Sequence, residues 1–156
     1  MEDVVTIVTT TATPTAVVRE ATTWEAFPTR WRPLLDEVWA FVRGTGLSAG
    51  RNVMLYTDDV PNVEVGVEMT EAFAPGERVV ASALPAGRAA RAVHRGPPSP
   101  EGINAAHAAV LGWCSANGER TTRVRWEVYG HWRDDDPEGF EIEVYWLLSD
   151  TRSSAS

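Results

Sequence analysis

No lysine occurs among the 156 residues, and all fourteen basic side chains are arginine. Schiff-base chemistry through a lysine amine is therefore excluded for this chain. Cys114 is the only cysteine, so no internal disulfide can form and a reducing, cytoplasmic setting is expected. No run of eighteen apolar residues occurs, so no membrane-spanning helix is expected. The start, Met1-Glu2-Asp3, lacks the basic and apolar stretches of a signal peptide. Positive charge is scarce: twenty-two acidic residues against fourteen arginines leave a net charge of −8, which repels phosphate backbones and anionic membranes. Neither nucleic acid nor a membrane is an expected partner.

Several specialised sites are missing as well. Gly-x-Gly-x-x-Gly and Walker patterns are absent, which disfavours nucleotide chemistry. His94, His107 and His131 match no His-x-x-x-His pair and have no cysteine cluster beside them, so they read as ordinary polar or helix-face histidines. No metal and no cofactor is expected. Asp134-Asp135-Asp136, followed by Pro137 and Gly139, lacks EF-hand spacing and reads as a solvated hairpin loop. Cys114, beside Trp113, reads as a small buried hydrophobe.

What is present is a core. With 44% apolar residues and no long polar tract, one domain is expected over residues 1–149, with 150–156 as a flexible tail. Extended segments are expected at 4–8 and 15–19, broken by Pro14. Phe27, Trp31, Leu34, Leu35, Val38, Phe41 and Val42 then recur at helical spacing, with Pro28 near the start and Gly44 in the place of a left-handed cap. Strands follow at 52–57 and 63–69, joined by the turn formers Asp58, Asp59, Pro61 and Asn62.

The same order then recurs: strands at 78–84 and 89–94, a helix over 100–117 capped by Ser99, and two closing strands. Trp39 and Gly44 return as Trp113 and Gly118, and Tyr56 as Tyr129, each about 74 residues on, which is the length of a whole supersecondary unit. The expected fold is α+β: two duplicated ββαββ-like halves, about 1–72 and 76–149, forming one domain. Two long helices would pack on one face of an antiparallel sheet.

Alternation along each strand sorts its side chains into two faces. Arg125, Glu127, Tyr129 and His131 share one face, and Trp126, Val128 and Trp132 the other. Glu141, Glu143 and Tyr145 oppose Phe140, Ile142, Val144 and Trp146; Met54, Tyr56, Glu64 and Glu68 oppose Val53, Leu55, Val63, Val65 and Val67. Assigning the helices to the wholly apolar set leaves one face with Glu64, Glu68, Glu127, Glu141 and Glu143 interleaved with Met54, Tyr56, Tyr129 and Tyr145. Such a face is either solvated or a floor for flat, apolar or cationic ligands. Aligning Tyr56 with Tyr129 puts Met54 opposite Glu127 in the repeat, so the fold does not itself demand a carboxylate there.

The segments Gly50-Arg51-Asn52 to Tyr56-Thr57-Asp58, Leu84-Pro85-Ala86-Gly87, Val93-His94-Arg95-Gly96-Pro97 before the helix with Trp113, and Trp126-Glu127-Val128-Tyr129 together resemble the GyrI-like small-molecule-binding domains. These are similar to the effector-binding domains of AraC-type and MerR-type regulators, and the likeness runs from about Val4 to Leu148. It implies a pseudo-twofold α+β fold with a central ligand pocket for lipophilic, planar or cationic drug-like compounds, with Glu127 on its floor and Tyr129 beside it. One departure is Pro98, where the family often has an aromatic after the Gly-Pro pair.

The leading expectation is a stand-alone binding domain, monomer or homodimer, whose partner is a lipophilic or cationic aromatic small molecule. The expected ligand contacts are Met54, Tyr56, Glu64, Trp113, Trp126, Glu143 and Tyr145. Some stand-alone members resemble hydrolases that open cyclopropane-bearing electrophiles. On that reading the domain detoxifies such xenobiotics: Glu127 orients water, and Tyr129 or Tyr56 donates to a carbonyl or leaving oxygen. A third reading, a protein-interaction inhibitor acting through its acidic surface, predicts a salt-sensitive complex with a basic protein.

Overall fold

A computed structural model describes residues 4–131 and 133–149. Trp132 and the expected tail at 150–156 lie outside the described residues. The elements run β1 (Thr6–Thr10), β2 (Thr13–Ala21), α1 (Phe27–Thr45), β3 (Ala49–Tyr56), β4 (Asn62–Met69), β5 (Val79–Leu84), β6 (Gly87–Arg95), α2 (Pro100–Ala116), β7 (Thr121–Tyr129) and β8 (Glu141–Leu148). A 3-10 turn at Pro137–Gly139 joins β7 to β8. No described helix is long and apolar enough to cross a membrane.

Helix α1 buries Phe27, Leu34, Leu35, Val38 and Val42, one stripe at 3.6-residue period, against β2, β4 and β5. Each large member of such a stripe contributes about 1.5–3 kcal/mol by leaving water. The helix runs past Gly44 and ends at Gly46, whose φ of 70° is the left-handed cap. Thr45 extends the last turn by donating its hydroxyl to Phe41 O at 2.8 Å, and Leu47 N closes it on Val42 O at 3.2 Å. Helix α2 starts where Ser99 Oγ accepts from Gly102 N at 3.0 Å. It buries Ala106, Val110 and Cys114 against β6 and β8. Burial pushes the Cys114 thiol pKa up, in keeping with an inert core residue.

All eight strands form one antiparallel sheet in the order β1-β6-β8-β7-β3-β4-β2-β5. Exchanging each strand of the first four for its counterpart in the second four reverses this order into itself. The pseudo-twofold axis therefore runs between β3 and β7, where Met54 pairs with Glu127. Edge strands are traded between halves: β1 pairs with β6 and β5 with β2. Such trading ties the two halves together, since neither completes its own sheet.

The face assignment differs from the expectation in one respect. Parity within each strand holds, but the strands combine out of phase, because Tyr56 pairs with Val63 and Tyr129 with Ile142. Odd residues of one strand meet even residues of the next, an offset set by the length of each hairpin loop. The helices therefore cover Met54, Tyr56, Val63, Val65, Val67, Arg125, Glu127, Tyr129, Ile142, Val144 and Trp146. Glu64, Glu68, Glu143 and Tyr145 lie on the opposite face with Val53, Leu55, Trp126 and Val128.

Candidate functional site

Glu127 sits at the centre of the sheet, under the seam between the two helices, and is 3% exposed. Three groups donate to its carboxylate. Tyr129 Oη reaches Oε1 at 2.5 Å and Tyr56 Oη reaches the same oxygen at 3.1 Å. His107 Nε2, from α2, reaches Oε2 at 2.7 Å. A carboxylate removed from water at this depth needs such donors, since its uncompensated burial costs several kcal/mol.

His107 is oriented from behind. Trp146 Nε1 donates to His107 Nδ1 at 2.9 Å. An indole N–H can only donate, so Nδ1 must accept and the ring proton sits on Nε2, aimed at Glu127. The two phenols are held as donors too. Burial pushes the pKa of Tyr56 and Tyr129 well up, and the charge of Glu127 with its hydrogen bonds pushes further in the same direction. Met54 completes the floor, its sulfur 3.8 Å from Tyr56 Oη and 3.7 Å from Tyr129 Oη.

One side of this floor is walled by Trp24, Arg125 and Trp146. Trp24 lies on the turn before α1, where Thr23 Oγ1 accepts from Ala26 N at 3.0 Å and Phe27 N donates to Thr23 O at 2.9 Å. Its ring meets Tyr56 with centroids 5.4 Å apart. Arg125 Cζ stands 4.8 Å from the Trp24 ring centroid and 4.9 Å from that of Trp146. Arg125 Nη1 donates to Asp59 Oδ1 and to Arg123 O, each at 2.8 Å.

Of the residues expected to meet at the site, Glu127, Tyr129, Tyr56 and Met54 come together. Trp113 packs from α2 onto the β6–β8 side of the core. Glu64, Glu143 and Tyr145 are a correction: register places them across the sheet from Glu127, beside Trp126, whose strand parity already set it there. There the acids are laced to arginines rather than lining an open floor. Glu64 pairs with Arg19 at 2.9 Å, Arg51 bridges Glu68 at 3.0 Å and Glu143 at 3.1 Å, and Arg95 pairs with Glu141. Burial pushes the Glu143 carboxyl pKa up, but the Tyr145 hydroxyl together with Arg51 and Arg91 outweighs it and holds the group below its ordinary value. Trp126 stacks flat on Tyr145 with centroids 5.0 Å apart.

The residues that sequence reasoning passed over are His107, Trp24, Trp146 and Arg125 as site members. His107 carried a signal: it interrupts the stripe of Ile103, Ala106, Val110 and Cys114 that α2 turns to the sheet. A polar ring in that stripe needs a buried partner.

Two of the recesses on the described surface bear on the site. One of about 240 Å³ lies where the end of β2 meets the start of β4, near Arg19, Thr57 and Glu64. Another of about 70 Å³ lies on the face away from the helices, near Arg51, Trp126 and Tyr145. Neither is lined by Glu127, which in this conformation is closed over by side chains.

The GyrI-like family, described as a GyrI-like small molecule binding domain, matches residues 56–149. No curated protein sequence matches the chain. Among solved structures, the EcmrR C-terminal domain is similar at a TM-score of 0.74 and 18% identity, covering 97% of this chain and 100% of that one. SAV2435 bound to tetraphenylphosphonium is similar at 0.59 and 11%, covering 96% and 95%. A hydrolase from Listeria innocua is similar at 0.56 and 12%, covering 93% and 91%. At such identities these likenesses speak for the fold, whereas the family match spans more than half of the chain. The chain belongs to the GyrI-like small molecule binding domain family.

Proposed function

We propose that the domain binds aromatic, lipophilic cations, with Glu127 holding the charge and Met54, Tyr56 and Tyr129 forming the adjoining floor. Family membership supplies the class of partner, a small molecule. The preference for a cation rests on one observation. Among the described residues Glu64, Glu68, Glu119 and Glu143 each face an arginine, whereas the more deeply buried Glu127 is met by two phenols and an imidazole. A buried carboxylate held by neutral donors gains more from an arriving cation than one already paired. The similar SAV2435, bound to tetraphenylphosphonium, lends support.

A water-activating role for Glu127, the hydrolytic alternative, fits the geometry less well. Oε1 is shared by both tyrosines and Oε2 is held by His107, so three of the carboxylate's roughly four acceptor positions are taken. The arrangement keeps a charge in place; it leaves little room to take up a proton from water.

Titration of intrinsic tryptophan fluorescence tests the reading. Tetraphenylphosphonium is expected to quench saturably, and triphenylphosphine oxide, a neutral aryl analogue, to bind at least about tenfold more weakly. Equal affinity for both compounds, or no saturable quenching by the cation, contradicts it.

A further inference from the structure

We propose that Arg125 is the site's resident cation: its guanidinium fills the aromatic seat that a cationic ligand takes, and a ligand enters by displacing it. This rests on the reading of Glu127 as the holder of a cation. Arg125 precedes Glu127 by two residues on β7 and faces the same side of the sheet. Its Cζ lies 4.8 Å from the ring centroid of Trp24, 4.9 Å from that of Trp146 and 5.8 Å from that of Tyr56. Several aromatic faces turned on one cation is the arrangement by which proteins recognise cationic ligands. Here the seat and the carboxylate share residues, because Tyr56 also donates to Glu127 and Trp146 also fixes His107.

The pseudo-twofold axis supplies an internal control. Arg125 pairs with Tyr56 and, across the axis, Asn52 pairs with Tyr129. Asn52 accepts from Trp39 Nε1 at 2.9 Å, so the fold itself does not ask for a cation at this position. The guanidinium is also tethered outward, to the Asp59 side chain, which is 63% exposed on the β3–β4 turn. Leaving the rings therefore need not cost Arg125 its acidic partner. Trp24, one wall of the seat, is 45% exposed and can yield with it.

Since Glu127 is almost wholly buried beneath its neighbours, any ligand that reaches the carboxylate displaces side chains. Exchanging Arg125 for another aromatic-loving cation conserves both the charge and the ring contacts. A neutral ligand conserves only the second. The resident arginine thus acts as a specificity-determining residue, rejecting neutral compounds and setting a threshold that cations must pass.

The experiment is titration of the wild-type protein, Arg125→Gln and Asp59→Asn with tetraphenylphosphonium, alongside thermal melts. Vacating the seat is expected to tighten binding about tenfold in Arg125→Gln, whereas removing the partner that receives the displaced guanidinium is expected to weaken it about twofold to threefold in Asp59→Asn. Asp59→Asn alters an exposed side chain and so reports even where Arg125→Gln fails to fold. Unchanged or weaker binding in folded Arg125→Gln, or unchanged or tighter binding in Asp59→Asn, with wild-type binding intact, overturns the displacement and leaves the cation reading standing. Absence of binding in wild type and variants alike overturns both.

Discussion

Glu127→Gln is expected to weaken tetraphenylphosphonium binding by roughly thirtyfold or more, equivalent to about 2 kcal/mol, while changing the affinity for a neutral aryl analogue by less than about threefold. The substitution preserves shape and removes the charge, so the difference between the two ligands isolates the electrostatic part. It also disturbs the network beneath. Gln offers one acceptor oxygen and one donor amide where Glu127 accepts from Tyr56, Tyr129 and His107. The tyrosine hydroxyls can turn to accept, but His107 cannot change tautomer without losing its bond from Trp146. With the amide oxygen toward His107 and the nitrogen toward the hydroxyls each group keeps a partner, and losing the charge-assisted character of these bonds costs folding about 1 kcal/mol. Isothermal calorimetry with both ligands and a chemical denaturation series measure the two effects separately. An unaltered preference for the cation in a folded Glu127→Gln protein contradicts the assignment.

A larger effect on the fold is expected at Gly66, in the middle of β4. It pairs with Val17 of β2 on one side and Val53 of β3 on the other. A Cβ there would stand 1.8 Å from Ala16 O and 2.8 Å from both Ala16 C and Val17 Cα. These are backbone atoms of the neighbouring strand, which no side-chain rotation can move away. Relief requires β2 and β4 to part, and β2 also carries β5 at the sheet edge. Gly66→Ala is expected to cost more than about 4 kcal/mol, enough to abolish cooperative unfolding in circular dichroism. A variant melting within a few degrees of wild type would show that the close approach relaxes cheaply.

Much of the architecture was legible because two periodicities and a repeat agreed. The apolar stripe from Phe27 to Val42 and the cap at Ser99 announce the helices, and the recurrence of Tyr56 as Tyr129 announces the axis that places Met54 against Glu127. The shared face of Glu127, Tyr129 and Arg125 follows from alternation along one strand. What alternation cannot supply is the phase between strands. That depends on hairpin loops such as 57–61, where Asp58 Oδ1 accepts from Val60 N at 2.9 Å and Asn62 N at 2.8 Å, and so sets which residue of β4 meets Tyr56. Four of the five acids expected on that floor, Glu64, Glu68, Glu141 and Glu143, were thereby assigned to the wrong side of the sheet.

The remaining site residues were hidden for a different reason. Trp24 comes from a turn and His107 from a helix, so their meeting with β7 is a tertiary event with no local pattern in the chain. Arg125 was visible as a neighbour of Glu127, but its place between two tryptophans separated by more than a hundred residues was not.

The central claim is that a cation sits beside Glu127, between Trp24 and Trp146. A crystal structure of the protein with tetraphenylphosphonium tests it directly. The account predicts phosphonium density against the Glu127 carboxylate, aryl groups on the two tryptophans, and the Arg125 guanidinium turned out toward Asp59. Phosphonium density in the recess beside Arg19 and Glu64, or over Trp126 and Tyr145, with Glu127 still closed, would contradict it.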